Sequence, residues 1–576
     1  MTKRLAPMRR AISLVILSTF VLETTLIAEV RMLQSIRPVT VPAARRSHTG
    51  TPSVLPAPVA PPRAPQFTDG IVRLSLSSDQ RQGNDDSQRP STSSDGRWTA
   101  FESNATNLVP HDNNRAQDIL VRDRLSGETV RVSVGRNGKQ GNKDSGHASI
   151  GGDGRFVAFE SWASNLVDGD TNRKRDVFVH DREDGKTTRV STASDGSQGK
   201  DDSGAPVISA DGRFVAFESK ATNLIWAGGG RLPSHHYGAK AYQQIYLHDR
   251  ETGDLKLVSI SSSNERGNGD SSEPAISGDG RFVAFASEAK NLVPDDTNWK
   301  RDIFVHDRET GETTRMSLSS EGVQADRHSS APVIDDTGQF VAFASDARNL
   351  VPGDTNGKTD VFLHDRATGE ATRVSVPSDG GQGNRDSGAP SISAGGRFVA
   401  FESYASNLVD DDRGDDKDVF VHDRSRGLTI RLTVGNGLAS GYRSDDSSDD
   451  DSSGDDSGDD DSSEEQGADS SRPAISADGR YVSFDSGSSN LVSDDTNRKV
   501  DVFQTTIELN RPPNAVDDEA TTRQGVPVDI HVLANDTDPD GDALSIAELS
   551  SPAHGSVYVN LDDTLTYTPA ATFVGT

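Results

Sequence analysis

The chain has 576 residues and a formal charge of −29, from 89 acidic and 60 basic side chains. That balance excludes nucleic acid as a partner, because phosphate binding needs a basic surface, and favours cations or basic surfaces instead. There is no cysteine, which excludes a disulfide framework, a thiolate metal site and a cysteine nucleophile.

At the N-terminus, Lys3, Arg4, Arg9 and Arg10 precede the apolar run AISLVILSTFVL at 11–22. A positive segment followed by a short apolar one is the pattern of an export signal. Residues 1–30 are therefore expected to be a signal peptide or an uncleaved membrane anchor, and the product to be extracellular, on the cell surface or periplasmic. Any contact with a membrane is expected only through that anchor. Residues 31–66 hold eight prolines and no hydrophobic period. They predict an extended, disordered linker.

From residue 67 to 509 one sentence recurs. DGRFVAFES stands at 153–161 and again at 211–219, with near copies beginning at 95, 279, 337, 395 and 478. The glycines of these turns, from Gly96 to Gly479, are spaced by 58, 58, 68, 58, 58 and 83 residues. Two insertions account for the long intervals: IWAGGGRLPSHHYGAKAYQQ in the third repeat, and an acidic stretch, predicted disordered over 440–468, before the seventh. Residues 444–466 alone carry twelve acids and no base. Each repeat holds four short strand signals, as in APSIS, FVAFES, DVFVHDR and TTRVSV, punctuated by Gly/Asp turns. The last of these alternates and is expected at a half-wet outer edge. Four strands repeated seven times predict an all-β fold, a seven-bladed β-propeller. The seventh repeat ends at DVFQTTI without a fourth strand, and GIVRLSLSSD at 70–79 precedes the first. An N-terminal strand is therefore expected to complete blade seven and close the ring.

SADGRFVAFES followed by DVFVHDRETGETTR resembles the WD40-like (PD40) repeat of TolB-type propellers, over about residues 70–507. From 510 to 576 the composition changes. VLANDTDPDGD, PAHGSV and LTYTPAATFVGT resemble the cadherin-like tandem repeat of large bacterial surface proteins, which implies a partial β-sandwich, truncated at its last strand, and an association with calcium and adhesion.

Loops after the second and fourth strands share one face of a propeller. They are acidic, and both insertions fall among them, so this face is expected to meet a protein or glycan ligand. The Asp-Thr-Asn…Asp loops suggest Ca²⁺, which takes six to eight oxygen ligands. The candidates are Asp168, Asp170, Asn172 and Asp176; Asp295, Asp296, Asn298 and Asp302; and Asp354, Asn356 and Asp360. The alternative is that these residues form only Asx turns. The cadherin-like resemblance implies Asp536, Asp538, Asp540 and Asp542 as further Ca²⁺ ligands. No Gly-x-Ser-x-Gly motif occurs, and only blade three departs clearly from the repeat, with His235, His236 and Tyr237. The chain is therefore expected to be a monomeric exported binding or adhesion protein and not an enzyme. Two alternatives stand beside this: a secreted hydrolase or lyase acting on polysaccharide or peptide, and a periplasmic TolB-like component of an envelope complex.

Overall fold

The computed structural model describes residues 70–225, 241–410, 412, 414, 416–434, 469–507, 514–537, 544–546, 549, 551–560 and 562–572. The expected export signal, the linker and both insertions lie outside them, apart from the ends of the blade-three segment. The chain divides into two compact units, one over Pro65–Glu508 and one that takes in Leu509–Thr576.

The first unit contains seven four-stranded antiparallel sheets. Blade one is Ser87–Thr92, Trp98–Ser103, Asp118–Asp123 and Thr129–Arg131. Blade two is Ser145–Ile150, Phe156–Ser161, Asp176–Asp181 and Lys186–Arg189. Blades three to six open at Ser203, Ser271, Ser329 and Ser387 and follow the same order. Blade seven is Ser470–Ile475, Tyr481–Ser486 and Asp501–Thr506, completed by Val72–Arg73 from the N-terminal end. That strand pairs Val72 with Gln504 and Arg73 with Phe503. The first strands of successive blades contact one another around the ring, blade seven's against blade one's included.

The repeated nonapeptide is a list of blade-to-blade contacts. In blade two, Arg155 binds Asp181 through two nitrogens at 2.9 and 2.7 Å and lies over the ring of Phe156. The other side of Phe156 meets the next blade, where Arg250 lies 4.0 Å from the ring centroid. Gly212 of that blade abuts the same ring, so that a β-carbon there would stand 2.1 Å from it. The same clamp holds Trp98 between blades one and two, with Gly154 and Arg182, and Tyr481 between blades seven and one, with Gly96 and Arg124. The alanines of the FVAF strands, Ala158 and Ala216 among them, are wholly buried, as the close approach of neighbouring sheets requires. Within blades, Phe159 and Phe178 stack at 5.9 Å, and four other blades repeat the pair as Phe–Phe.

The fourth strand is shorter than its sequence suggests. In blade two it stops at Arg189, because the Val177 N–H donates to Ser191 Oγ at 3.1 Å and leaves the strand ladder. The histidines of the VHDR segments are structural. His180 donates through Nδ1 to Thr187 Oγ1 at 2.9 Å, and that hydroxyl donates to the Val134 carbonyl of blade one. In blades three and five the threonine is Leu255 and Ala371, and the Nδ1 atoms of His248 and His364 have no hydrogen-bond partner among the described residues.

The second unit holds a three-stranded antiparallel sheet in the order Val528–Ile530, Leu565–Pro569, Gly555–Val559. Val532, Leu565 and Tyr567 are buried in it.

Gly212 has φ +72° as well as the ring against it. Gly212→Ala should cost roughly 2–4 kcal/mol in urea unfolding, from the left-handed backbone plus overpacking. Gly253→Ala, at φ +77° with nothing within 4 Å, should cost only about 1 kcal/mol. Equal losses would remove the ring contact as the cause. Burial lowers His180 and His422 to about 4, and lowers His248, His306 and His364 as well. Folded values below the unfolded ones mean stability that is present above pH ~6.5 and lost as pH falls toward the folded values. Asp418, pushed up by burial to about 6, acts in the opposite sense and offsets part of the loss. His180→Asn keeps the donor to Thr187 and should reduce the loss between pH 7 and 4.5 by about 1–3 kcal/mol, read from urea midpoints.

Candidate functional site

The loops between second and third strands were the candidate calcium loops, and the structure brings most of their residues together. In blade two Asp170, Asn172 and Asp176 converge on Arg189 from the fourth strand. The guanidinium lies 3.3 Å from Asp170 and 3.5 Å from Asp176, with all three side chains of the ion pairs buried. Asp176 also accepts from Ser191 at 2.6 Å and from Asn172 at 2.8 Å, and Asn172 closes an Asx turn by accepting the Lys174 N–H. Blade four repeats this with Asp296, Asn298 and Asp302 about Arg315, and blade five with Asp354, Asn356 and Asp360 about Arg373. Blade seven takes its arginine from the closing strand: Arg73 lies 3.1 Å from Asp495 and 3.5 Å from Asp501, and Ser75 donates to Asp501 at 2.5 Å.

These loops do not fit Ca²⁺. The two carboxylates of each loop share an arginine, whose charge offsets one of theirs and whose guanidinium stands beside both, and among the described residues no group of three His, Asp or Glu side chains is placed to hold a metal. Asp168 is exposed against Arg136, and Asp295 contributes its backbone carbonyl, to Gln324. Of the candidates in the second unit, Asp536 accepts the Val516 N–H at 2.7 Å; Asp538, Asp540 and Asp542 lie outside the described residues. The fourth strand of blade two is half-exposed, as its alternation suggests, while the Arg189 side chain itself is only 9% exposed, drawn in by the two carboxylates.

Blade three is a natural control for this arrangement. Gln244 stands where the other blades have the strand-opening aspartate, and Leu257 where most have arginine, paired with Tyr246 as Arg189 is with Phe178. Ser259 donates to Gln244 Oε1 at 2.8 Å. Acid and base have been lost together, as the cost of leaving one buried charge alone demands.

The departures from the repeat that face solvent lie elsewhere, at the channel. Every first strand carries a bulge, and its third residue has positive φ although none is glycine: Arg89, His147, Ala205, Glu273, Ala331, Ala389 and Arg472, between +43° and +56°. A bulge re-aims the side chain of the strand that carries it. Six of these residues give their N–H to a carboxylate. Arg89 donates to Asp485, His147 to Glu102, Ala205 to Glu160, Glu273 to Glu218 and Arg472 to Glu402, each carboxylate from the preceding blade. In blade four the strand-two acid is replaced by Ala286, and Glu273 serves Ala331 instead.

At this column three blades have alanine, while blades seven, one and two have Arg472, Arg89 and His147 side by side. His147 Nδ1 lies 3.0 Å from Glu160, and Arg89 Nη1 lies 2.5 Å from His147 Nε2. Since Arg89 only donates, Nε2 accepts and Nδ1–H donates to Glu160. Arg175 reaches the same carboxylate at 2.8 Å, and Gln117 holds Glu102 at 2.8 Å. Burial alone would raise Glu160, but the hydrogen bonds from His147 and Ala205 and the positive charge of Arg175 hold it below the usual range. Glu218 and Asp485 are raised by burial. Arg89, His147 and Trp162 line a cavity of about 260 Å³ with Gln117 and Asp144. At the opposite end of the blades, the turns before each DGR are joined backbone to backbone, Ser94 to Gly152 to Ala210 to Gly278 to Asp336, by bonds of 2.8–3.0 Å. The charged end is therefore the one that carries the long loops.

The arginine triads yield a direct test. Arg315→Leu should destabilise the propeller by about 3–5 kcal/mol, since it strands Asp296 and Asp302. Asp302→Gln/Arg315→Leu, which copies blade three, should recover at least half of that loss in the same denaturation assay; full additivity would show that the two side chains do not act as a pair.

Residues 510–576 match a family model described as a bacterial Ig domain, where the sequence had suggested a cadherin-like repeat. No curated protein matches the chain. Similar solved structures include TolB from Acinetobacter baumannii, at 13% identity and TM-score 0.32 over 61% of this chain and 64% of that one. The chain thus spans less than two thirds of that protein. An oligogalacturonate lyase from Vibrio parahaemolyticus is similar at 14% identity and TM-score 0.42, over 77% of this chain and 97% of that one. An acylaminoacyl peptidase from Pyrococcus horikoshii is similar at 13% identity and TM-score 0.36, over 60% and 46%. The expectation that the chain is not an enzyme is corrected by this set: a lyase and a peptidase stand in it beside TolB, so the architecture does not exclude catalysis, and at these scores it assigns no activity either.

Proposed function

We propose that the protein is an exported binding protein of the bacterial envelope or cell surface, and that its propeller takes its ligand at the channel mouth over blades seven, one and two. One observation carries the reading. At the bulged column of the channel, where three blades need only alanine, these three blades place Arg472, Arg89 and His147 beside one another and partly open to solvent. The repeat shows what a blade requires for folding, and these side chains exceed it. The export signal read from the sequence and the match of residues 510–576 to a bacterial Ig domain support the location. Among the described residues, no helix is long and apolar enough to cross a membrane.

A second reading is turnover at the same mouth. The hydrogen-bonded His147–Glu160 pair favours it, because a carboxylate on Nδ1 orients an imidazole for proton transfer at Nε2. Nε2 faces Arg89, so a substrate would first have to draw that guanidinium away.

An array of envelope polysaccharides and peptides, probed with the full chain, tests the site. Arg89→Ala and Arg472→Ala should each weaken retention of the bound class at least about tenfold, Arg89→Ala with the unfolding midpoint within a few degrees of the parent's. Retention unchanged in both variants, but lost on altering the fourth-to-first-strand loops, would move the ligand from the channel to the rim. Cleaved product in the bound wells, absent with His147→Ala, would establish the second reading.

A further inference from the structure

The chemistry of the cavity wall narrows the ligand beyond that reading, on which the following rests. The wall is made of hydrogen-bonding side chains, among them Gln88, Arg89, Gln117, Asp144 and His147, and it includes the carboxylates of Glu102 and Glu160, which are already engaged by Gln117 and by His147 and Arg175. No aliphatic side chain lines it, so it offers no pocket for the apolar side chains of a peptide. One aromatic does line it, Trp162, which is 42% exposed. The residue at the corresponding place in other blades is Asn104, Lys220, Glu288, Asp346, Tyr404 or Gly487, so the indole is not demanded by the blade. At about 260 Å³ the cavity is smaller than the usual site for a drug-sized ligand, and suits one ring of a longer ligand.

Arg89 is the cation in the site with capacity to spare. Among the described residues, its side chain makes one hydrogen bond, to His147, and its nearest carboxylate, on Glu102, is 3.9 Å away. Arg175, by contrast, is bonded directly to Glu160, and Arg472 lies 3.2 Å from Asp485. Arg472 also donates to Gln88 at 3.1 Å, which brings a second guanidinium to the edge of the same cavity. With Glu102 and Glu160 engaged by neighbouring donors and Arg472 held by Asp485, the guanidinium of Arg89 is the charged group offered to a ligand, and its planar fork suits a carboxylate.

We propose that the mouth binds an acidic sugar, a hexuronate residue of an oligosaccharide, with its carboxylate on Arg89 and its ring face on Trp162. The hydroxyl groups meet Gln117, Asp144 and Gln88. The rest of the oligosaccharide runs toward blades three, five and six, where Ala205, Ala331 and Ala389 keep the channel column free of long side chains.

Calorimetric titration of the full chain tests this with three probes: glucuronate oligomers of two to four residues, glucose oligomers of the same lengths, and penta-glutamate. The glucuronate oligomers should bind at least about tenfold more tightly than the glucose oligomers, and more weakly as salt rises. Arg89→Gln should remove that preference. Trp162→Ala, at an exposed position that no blade contact needs, should weaken the acidic oligomers about fivefold without removing their preference over the neutral ones. Equal binding of acidic and neutral oligomers would overturn the acidic-sugar assignment while leaving the mouth as a ligand site. Binding of penta-glutamate alone, sensitive to Arg89, would overturn the sugar and leave a peptide site. Acidic oligomers that bind indifferently to both Arg89→Gln and Trp162→Ala would overturn both the assignment and the location. Absence of binding by either oligosaccharide at millimolar concentration would overturn the assignment.

Discussion

The propeller depends on an aromatic ring held between blades. Phe156, Trp98, Tyr481 and their counterparts project from one sheet, and the next sheet meets them with a glycine and, at most seams, an arginine. The glycine is required twice over, by its left-handed backbone and by the absence of room for a β-carbon. The arginine gives its charge to a carbonyl in another turn of its own blade and its flat face to the neighbour's ring, as Arg424 does with the Gly396 carbonyl at 2.8 Å and Phe340. A seam of this kind transmits position. Each blade is oriented by the one before it, and the bulged inner strand is carried to the channel at a repeating angle.

That repetition is what gives the channel mouth its meaning. Because the backbone at the third residue of each inner strand is constant, down to its strained positive φ, the side chain there is free to vary. Alanine suffices for the fold. The acid beneath it varies less, since it satisfies the N–H that the bulge exposes; when blade four loses its own acid, Glu273 supplies one for Ala331 from a different strand, and blade five alone of the remaining blades has alanine, Ala344, at that place. Arg472, Arg89 and His147 therefore sit on a scaffold of buried carboxylates that also accept their backbone N–H groups, and those carboxylates orient them. Strain in the backbone and balanced charge beneath it are the ordinary supports of a preorganised polar site.

The fold was legible in the sequence because its causes are local and repeated. Spacing predicted the blades, and the missing fourth strand of the seventh repeat predicted the closing strand. What the closing strand carries was also written there: Arg73-Leu74-Ser75 matches Arg189-Val190-Ser191, the arginine and serine that answer the two aspartates. It was not read that way, because an Asp-Thr-Asn loop looks alike whether it encloses a metal or a guanidinium from another strand. The channel residues were missed for a different reason. Sequence reading looked for departures in loops, where His235 and His236 stand out, and passed over a single column inside a strand. SQRPST, SGHASI and SSRPAI beside SGAPVI and SSAPVI show the departure plainly once aligned. A left-handed bulge at a non-glycine residue, which turns that column toward the channel, leaves no mark in composition.

The closing strand also sets an order on folding. Ser75 and Asp501 are 426 positions apart in the chain, and until they meet, Asp495 and Asp501 have no arginine. A polypeptide emerging N-terminus first makes Arg73 at the outset and its two carboxylates near the end. Six blades can build one upon another through neighbouring segments, each with its own arginine or, in blade three, none needed. The seventh cannot be finished until the longest loop in the unit is closed, the step that costs the most chain entropy. The ring's last joint is therefore also its latest, and a chain interrupted before residue 495 would leave Arg73 in water with neither of its two carboxylates made.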